Sequence, residues 1–263
     1  MRGTLNQIRG SWRAARRFAA LIFAMAGCFS SLLVVRLVAP KDLSRPARTL
    51  HLWCRRLLRW LQVELVAQGT PPSGGLLVSN HLSYLDILVF SATVPCVFVA
   101  KREMKFWPVI GWITTLAGTV YIDRTRRSAT HAVQPHLQEA LLSSVPVTLF
   151  PEGTSSDGSQ VLPFHSSLLQ VAIESPTPVT AAAISYEIDG GDAALDVCYY
   201  GDMVLAPHVL RLFQKGVVRA TLRFHEEATI YTDRKVAAQE LRKRVLELKT
   251  QPAAATGCAI ELV

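Results

Sequence analysis

The chain has 263 residues, enough for one medium domain with an appendage or for two small domains. Half of its residues are hydrophobic, 18% are charged and mean hydropathy is +0.25, a composition that excludes a disordered, collagenous or coiled-coil protein. Lysine and arginine total 28 against 20 acids, a net charge of +8, which directs attention to an anionic partner, nucleic acid or a membrane surface.

The distribution of that charge separates the two. Residues 1–64 carry 12 basic and two acidic side chains, or +10, while the other 199 residues carry 16 and 18, or −2. Between Arg17 and Arg36 lies an uncharged run of 18 residues, FAALIFAMAGCFSSLLVV, at the short end of membrane-spanning length. A nucleic-acid-binding arm has no use for such a segment, so no nucleic acid is expected and a membrane partner is. A cleaved secretory signal is the competing reading. A basic lead of 17 residues, a long apolar run and Arg36 in place of small cleavage-site residues argue against it. Both flanks of the run are basic and neither favours translocation, which predicts a segment that dips into one leaflet and returns.

Residues 47–64 read ARTLHLWCRRLLRWLQVE, with Leu50, Trp53, Leu57, Leu58 and Leu61 at helical spacing and Arg48, Arg55, Arg56 and Arg59 between them. That pattern suits a helix among lipid headgroups, and it equally suits a helix packed on its own domain with a solvated basic face. Residues 1–64 are therefore expected to form a two-helix membrane-binding element joined around residues 39–46. The five cysteines are scattered, without C-x-x-C pairs or His/Cys clusters, so neither a disulfide framework nor a metal site is expected, and a reducing compartment is.

From Leu65 onward, short apolar runs alternate with helical patterns. Strands are expected at 75–80, 97–100, 119–122, 147–150, 179–185, 195–200 and 217–224, and helices at 83–93, 105–116, 128–143, 164–173 and 233–249. The alternation predicts an α/β domain over 65–249, a mixed and largely parallel sheet flanked by helices, followed by a loosely held tail at 250–263. Chemistry is then sought where strands end.

The first such end is VSNHLSYLD, residues 78–86. Ser83 and Asp86 have the spacing of a capping box at a helix start. His81 and Asp86 are five apart and meet only if His81 precedes the helix and folds back over its first turn. A carboxylate there would hold one imidazole nitrogen protonated and leave the other as a base toward a hydroxyl. Seen alone, the pair reads as well as a helix cap beside a loop histidine. Further strand ends follow at AKREM (100–104), GTVYIDR (118–124) and FPEGTSS (150–156).

In that order, NHLSYLD, AKREM, GTVYIDR and FPEGTSS resemble the blocks N-H-x-S-x-x-D, A-K-x-E-L, G-x-x-F-I-D-R and F-P-E-G-T-R-S of the glycerolipid acyltransferase family, typified by lysophosphatidate acyltransferases. The resemblance covers roughly residues 75–225 and includes YYGDMVLAPH, 199–208. It implies a glycerol-phosphate-acyltransferase-like fold. It also implies direct transfer of a fatty acyl chain from acyl-CoA or acyl-carrier protein to a lysolipid hydroxyl, with no cofactor and no covalent acyl-enzyme. His81 would be the base and Asp86 its orienting acid. Lys101 and Arg124 would lie near an acceptor phosphate, and Glu152, Gly153 and Thr154 in the acceptor-binding turn.

The chain departs from the family pattern in three places. Ser155 replaces the arginine of F-P-E-G-T-R-S, Ala181 replaces the second proline of the block at TPVTAAAIS, and PFHSSLL puts His165 and Ser166 where F-K-x-G is usual. His165 reads as a solvent-facing residue at a helix start. The expected reaction is acylation of 1-acyl-sn-glycerol-3-phosphate to phosphatidate, at the cytoplasmic face of a bacterial inner membrane. Acylation of a lyso-ornithine lipid or another lysophospholipid is the alternative that Ser155 favours. A non-catalytic lipid-binding or membrane-shaping relative is the rival of another class, and the presence of His81, Asp86 and Glu152 together argues against it.

Overall fold

The computed structural model describes residues 2–122, 136–251 and 258–259, with backbone alone for 2–6 and 258–259. The chain begins with two helices, α1 (Arg2–Val38) and α2 (Ser44–Leu61). Eight strands follow among the described residues: β1 (Val63–Gln68), β2 (Leu76–Ser79), β3 (Val97–Lys101), β4 (Val120–Ile122), β5 (Val147–Leu149), β6 (Val179–Ile188), β7 (Val218–Phe224) and β8 (Cys258–Ala259). Interleaved with them are α3 (Leu85–Thr93), α4 (Ile110–Ala117), α5 (described over 136–141), α6 (Gln170–Glu174), α7 (Ala193–Asp196), α8 (Leu205–Gln214) and α9 (Arg234–Thr250).

The strands form one sheet in the order β4-β3-β5-β2-β6-β7-β1-β8. Pairing is parallel from β4 to β6 and between β1 and β7, and antiparallel between β6 and β7 and between β1 and β8. The sheet is thus mixed and largely parallel, as the alternation of strand and helix predicts. Successive strand residues point to opposite faces, and both faces are covered. Leu77, Ala182 and Ile184 join α1, α2, α3 and α8 in one core, while Leu76, Val78, Ala181 and Ala183 join α5, α6 and α9 in the other.

α1 is one uninterrupted helix of 37 residues, about 55 Å long at 1.5 Å per residue, and its stretch Gln7–Val38 is long and apolar enough to cross a membrane. It lies against α2, α4 and α8. Gly27 makes the α1–α2 seam possible, because a Cβ there would stand 2.2 Å from the Trp53 ring. Three arginines fasten the helix, the first being Arg13, which donates to the carbonyls of Gln214 and Lys215. Arg17, almost fully buried, donates to the carbonyls of Leu212, Phe213, Lys215 and Gly216, which capture the negative end of α8. Arg36 donates to the Leu116 carbonyl at the end of α4 and to those of Pro40 and Asp42. α1 thus runs unbroken through the apolar run, and the chain turns back at residues 39–43, within the expected join, into α2.

Other sequence expectations are corrected. Residues 195–200, expected as a strand, begin in the short helix α7, because Asp192 accepts from Leu195 N as a cap and Asp196 accepts from Asp192 N. α8 and β1 were not anticipated. The helical pattern of α2 runs on to Glu64 in sequence, yet the helix stops at Gln62, whose left-handed backbone (φ 59°) marks an end without a glycine. Residues 105–116 divide into a 3-10 turn over Arg102–Phe106 and α4. In the tail, Cys258 and Ala259 pair with β1.

Candidate active site

Three strand ends meet at one edge of the sheet. β2 leads into Asn80 and His81, β5 into Phe150 and Glu152, and β3 ends at Lys101. Asn80 substitutes for a strand pairing: its Oδ1 accepts from Ile184 N at 2.9 Å and its Nδ2 donates to Ile184 O at 3.0 Å, tying the end of β2 to β6. The next three residues form a turn before α3. The Ser83 hydroxyl does not cap the helix and is buried without a partner; the Asp86 carboxylate instead binds the N–H groups of Leu82 and Ser83 ahead of the helix.

Asp86 is fully buried and saturated with donors. Its Oδ2 lies 2.7 Å from His81 Nδ1, 2.7 Å from Leu82 N and 3.1 Å from Ser83 N, and its Oδ1 accepts from the Tyr186 hydroxyl at 2.7 Å. Nδ1 must carry the proton it donates to the carboxylate, so Nε2 keeps its lone pair. The Phe150 ring stacks on the imidazole at 4.3 Å between centroids and 15° between planes, which fixes the ring's plane. His81 is therefore held by a carboxylate along its edge and an aromatic face beneath it, with about a quarter of its side chain open to solvent. Burial, then Asp86, pushes the Tyr186 phenol well above its ordinary pKa, so it stays a donor.

The turn after β5 closes over the same place. Gly153 has φ 73°, a conformation glycine adopts without strain, and its N–H donates to Phe150 O. Glu152 is buried, and its Oε1 accepts from His81 N at 3.3 Å while Oε2 has no partner. Burial lifts its carboxyl to about 7, against bonds from the His81 and Leu162 backbone that lower it. Ser156 N donates to His81 O at 3.0 Å. Ser155, at the family's arginine position, spends its hydroxyl on the Tyr199 carbonyl, and Tyr199 N donates to Leu82 O. Tyr84 donates to His208 Nδ1 at 3.0 Å, and His208 Nε2 donates to Cys198 O at 2.9 Å, which ties residues 198–200 to the helix start below His81.

The structure thus brings His81, Asp86, Glu152 and Gly153 together. Thr154 is exposed on the same turn. Lys101 is exposed at the end of β3, two strands from β2 with β5 between, hence about 10 Å along the sheet edge. Arg124 lies outside the described residues. His165 is exposed at the start of a 3-10 turn. Among the described residues no His, Cys, Asp and Glu cluster has the makings of a metal site, and the four described cysteines are buried free thiols.

Sequence reasoning missed Tyr186, Phe150 and the Tyr84–His208 pair. Tyr186 carried a usable signal, since Ala182, Ile184 and Tyr186 alternate onto one face of β6 and place a hydroxyl inside an apolar core.

A mixed, largely parallel sheet flanked by helices, with a histidine–aspartate pair and a hydroxyl-rich turn at its carboxyl edge, places the chain among α/β proteins. An acyltransferase family profile matches residues 62–185. The lyso-ornithine lipid O-acyltransferase of Brucella abortus is 36% identical over 187 residues, covering 66% of this chain and 70% of that protein. The 1-acyl-sn-glycerol-3-phosphate acyltransferase of Neisseria gonorrhoeae is 40% identical over 120 residues, 46% and 47% of the two chains. The crystal structure of the 1-acyl-sn-glycerophosphate acyltransferase of Thermotoga maritima shares the fold, with a TM-score of 0.64 and 20% identity over 94% of this chain and 99% of that one. The chain belongs to the acyltransferase family and is an O-acyltransferase of the kind that acts on lysolipids.

Proposed function

We propose that His81 Nε2 takes the proton from the free hydroxyl of a lysolipid while Asp86 holds the imidazole in place, so that the oxygen attacks the carbonyl carbon of an acyl thioester. The tetrahedral adduct collapses with loss of thiolate, which recovers a proton from the imidazolium and leaves as free thiol. Acyl-CoA and acyl-carrier protein both supply such a thioester. The 2.7 Å contact between His81 Nδ1 and Asp86 Oδ2, within a carboxylate already saturated by three further donors, is the observation that carries this reading.

Of the acceptors open from sequence, which include other lysophospholipids, a lyso-ornithine lipid is favoured over 1-acyl-sn-glycerol-3-phosphate. Ser155 offers no guanidinium to a phosphate, and its hydroxyl is already engaged. The lyso-ornithine lipid O-acyltransferases of Brucella abortus and Rhodobacter capsulatus also match over 187 and 219 residues, against 120 for the Neisseria phosphate-acceptor enzyme. The full-length protein in detergent, given acyl thioester and either acceptor, is expected to release thiol faster with lyso-ornithine lipid. Faster release with the phosphate acceptor would reverse the assignment.

The enzyme is proposed to work on a membrane surface, at the cytoplasmic face of the bacterial inner membrane. Arg17 and Arg36 are 19 residues apart, about 28 Å along α1, and both are bound to the same catalytic domain. A bilayer's hydrocarbon core is about 30 Å thick, so crossing it would carry part of that domain with the helix. This supports α1 lying along the interface with its outer apolar face in one leaflet, and the basic flanks favour the cytoplasmic side.

A further inference from the structure

From the end of β3 into the first turn of α4 the chain makes a compact bulge, residues 102–112, whose composition does not suit water. Phe106 is 71% exposed, Trp112 60% and Trp107 39%, and the 3-10 turn Arg102–Phe106 contains no buried residue. These rings are not exposed through looseness, because the backbone beneath them is tightly built. Trp107 N donates to Met104 O, Gly111 N to Trp107 O and Ile110 N to Pro108 O. Val109 is held at φ 62°, a strained conformation for a β-branched residue. Gly111 approaches the Lys105 carbonyl so closely that a Cβ would stand 2.1 Å from it. The fold therefore pre-forms a knob that projects aromatic rings outward.

What covers such a knob is indicated by its rim. Lys101, Arg102 and Lys105 are exposed around the rings, with Glu103 the one acid among residues 101–112. Protein interfaces are depleted in lysine at their centres, whereas aromatic rings ringed by lysine and arginine suit the boundary between anionic headgroups and acyl chains. The knob also continues a second apolar surface. Trp112 meets Phe29 of α1, Arg36 joins α1 to the end of α4, and Leu33, Val34, Leu37 and Val38 lie exposed on the neighbouring part of α1.

We infer that residues 102–112 are a membrane-inserting element of the catalytic domain itself, seating Phe106 and Trp107 at the headgroup–acyl boundary of an anionic bilayer independently of the hold that α1 provides. On the acyltransferase reading above, this sets Lys101 and the carboxyl edge of the sheet at the lipid surface, so the lysolipid reaches His81 from the bilayer without first entering water.

The test labels Phe106→Cys with a polarity-sensitive maleimide in a Cys258→Ser background, since Cys28, Cys54, Cys96 and Cys198 are buried. The full-length protein is added to vesicles of phosphatidylethanolamine and phosphatidylglycerol, and binding is checked by sedimentation. Emission is expected to shift to the blue and to be quenched by nitroxide on the lipid acyl chains. The same label at Glu226→Cys, in the exposed loop after β7 at the opposite edge of the sheet, is expected to keep its aqueous emission. A label at position 106 that stays aqueous on sedimented vesicles overturns the proposal, whatever the enzyme's acceptor proves to be. As a second arm, Phe106→Ser with Trp107→Ser is expected to raise KM for vesicle-borne lysolipid about tenfold or more and to leave turnover of a micellar short-chain acceptor within about twofold. An equal loss on both acceptors contradicts entry from the bilayer.

Discussion

Tyr186→Phe removes one oxygen and leaves the ring, so it opens no cavity and isolates a single interaction, the 2.7 Å hydrogen bond to Asp86 Oδ1. Asp86 has no exposed surface, so water cannot supply the missing donor. A hydrogen bond to a charged group contributes about 1.5–3 kcal/mol, and each 1.36 kcal/mol is a factor of ten in rate. If Tyr186 holds the carboxylate at the angle that keeps Nδ1 of His81 in register, kcat should fall about ten- to hundredfold, with KM within about threefold, because Tyr186 is buried in the core behind Asp86. The assay is thiol release at saturating thioester over a range of lysolipid concentrations, together with the unfolding midpoint of each variant. A purely structural tyrosine would lower the midpoint and leave turnover per folded enzyme unchanged. An unaltered kcat in a folded variant therefore refutes its role as a positioning residue.

Two further predictions concern stability. Glu152 keeps a carboxyl proton in the folded chain up to about pH 7 against an ordinary 4.5, so stability is fully present below pH 4.5 and is lost as pH rises through 7. The loss amounts to roughly 3 kcal/mol from the 1.36 kcal/mol of each pKa unit. Glu152→Gln keeps an acceptor for His81 N without titrating, so denaturant melts at pH 5 and pH 8 should show a drop in the wild type that the variant lacks; parallel drops would contradict it. Arg17→Ala leaves the carbonyls of Leu212, Phe213 and Gly216 without Arg17, Lys215 keeping Arg13, and should cost about 1–3 kcal/mol. Limited proteolysis should then cut α1 first, and unchanged protection would show that the helix is held by its apolar contacts alone.

Much of the fold was legible because its signals are local. The strands β2 to β7 are short apolar runs, and α3 and α9 carry helical spacing that no neighbouring pattern contradicts. β1 was hidden by the amphipathic pattern running into it, since α2 ends at Gln62 with neither glycine nor proline to mark the stop. Residues 195–200 look like a strand by composition, but the caps from Asp192 and Asp196 are short-range interactions that outweigh that propensity. For the site, the ordered motifs identified His81, Asp86 and the turn at Glu152, whose partners sit at fixed short offsets or at adjacent strand ends. Tyr186 lies 100 residues from Asp86 and Tyr84 lies 124 from His208, and such pairings exist only once the sheet is assembled. The basic N-terminal charge was read as meeting lipid, yet Arg17 and Arg36 turn inward to hold α1 on its own domain, a use of arginine that charge counting cannot distinguish.

His81 is proposed as the base for acyl transfer to a lysolipid hydroxyl. Its most direct test compares wild type and His81→Ala, both full length in detergent, with acyl thioester and lyso-ornithine lipid. Free thiol should appear with the wild type and fall by about a hundredfold to ten-thousandfold in the variant, while both proteins sediment equally with vesicles. Thiol release by His81→Ala within about tenfold of wild type would contradict the account.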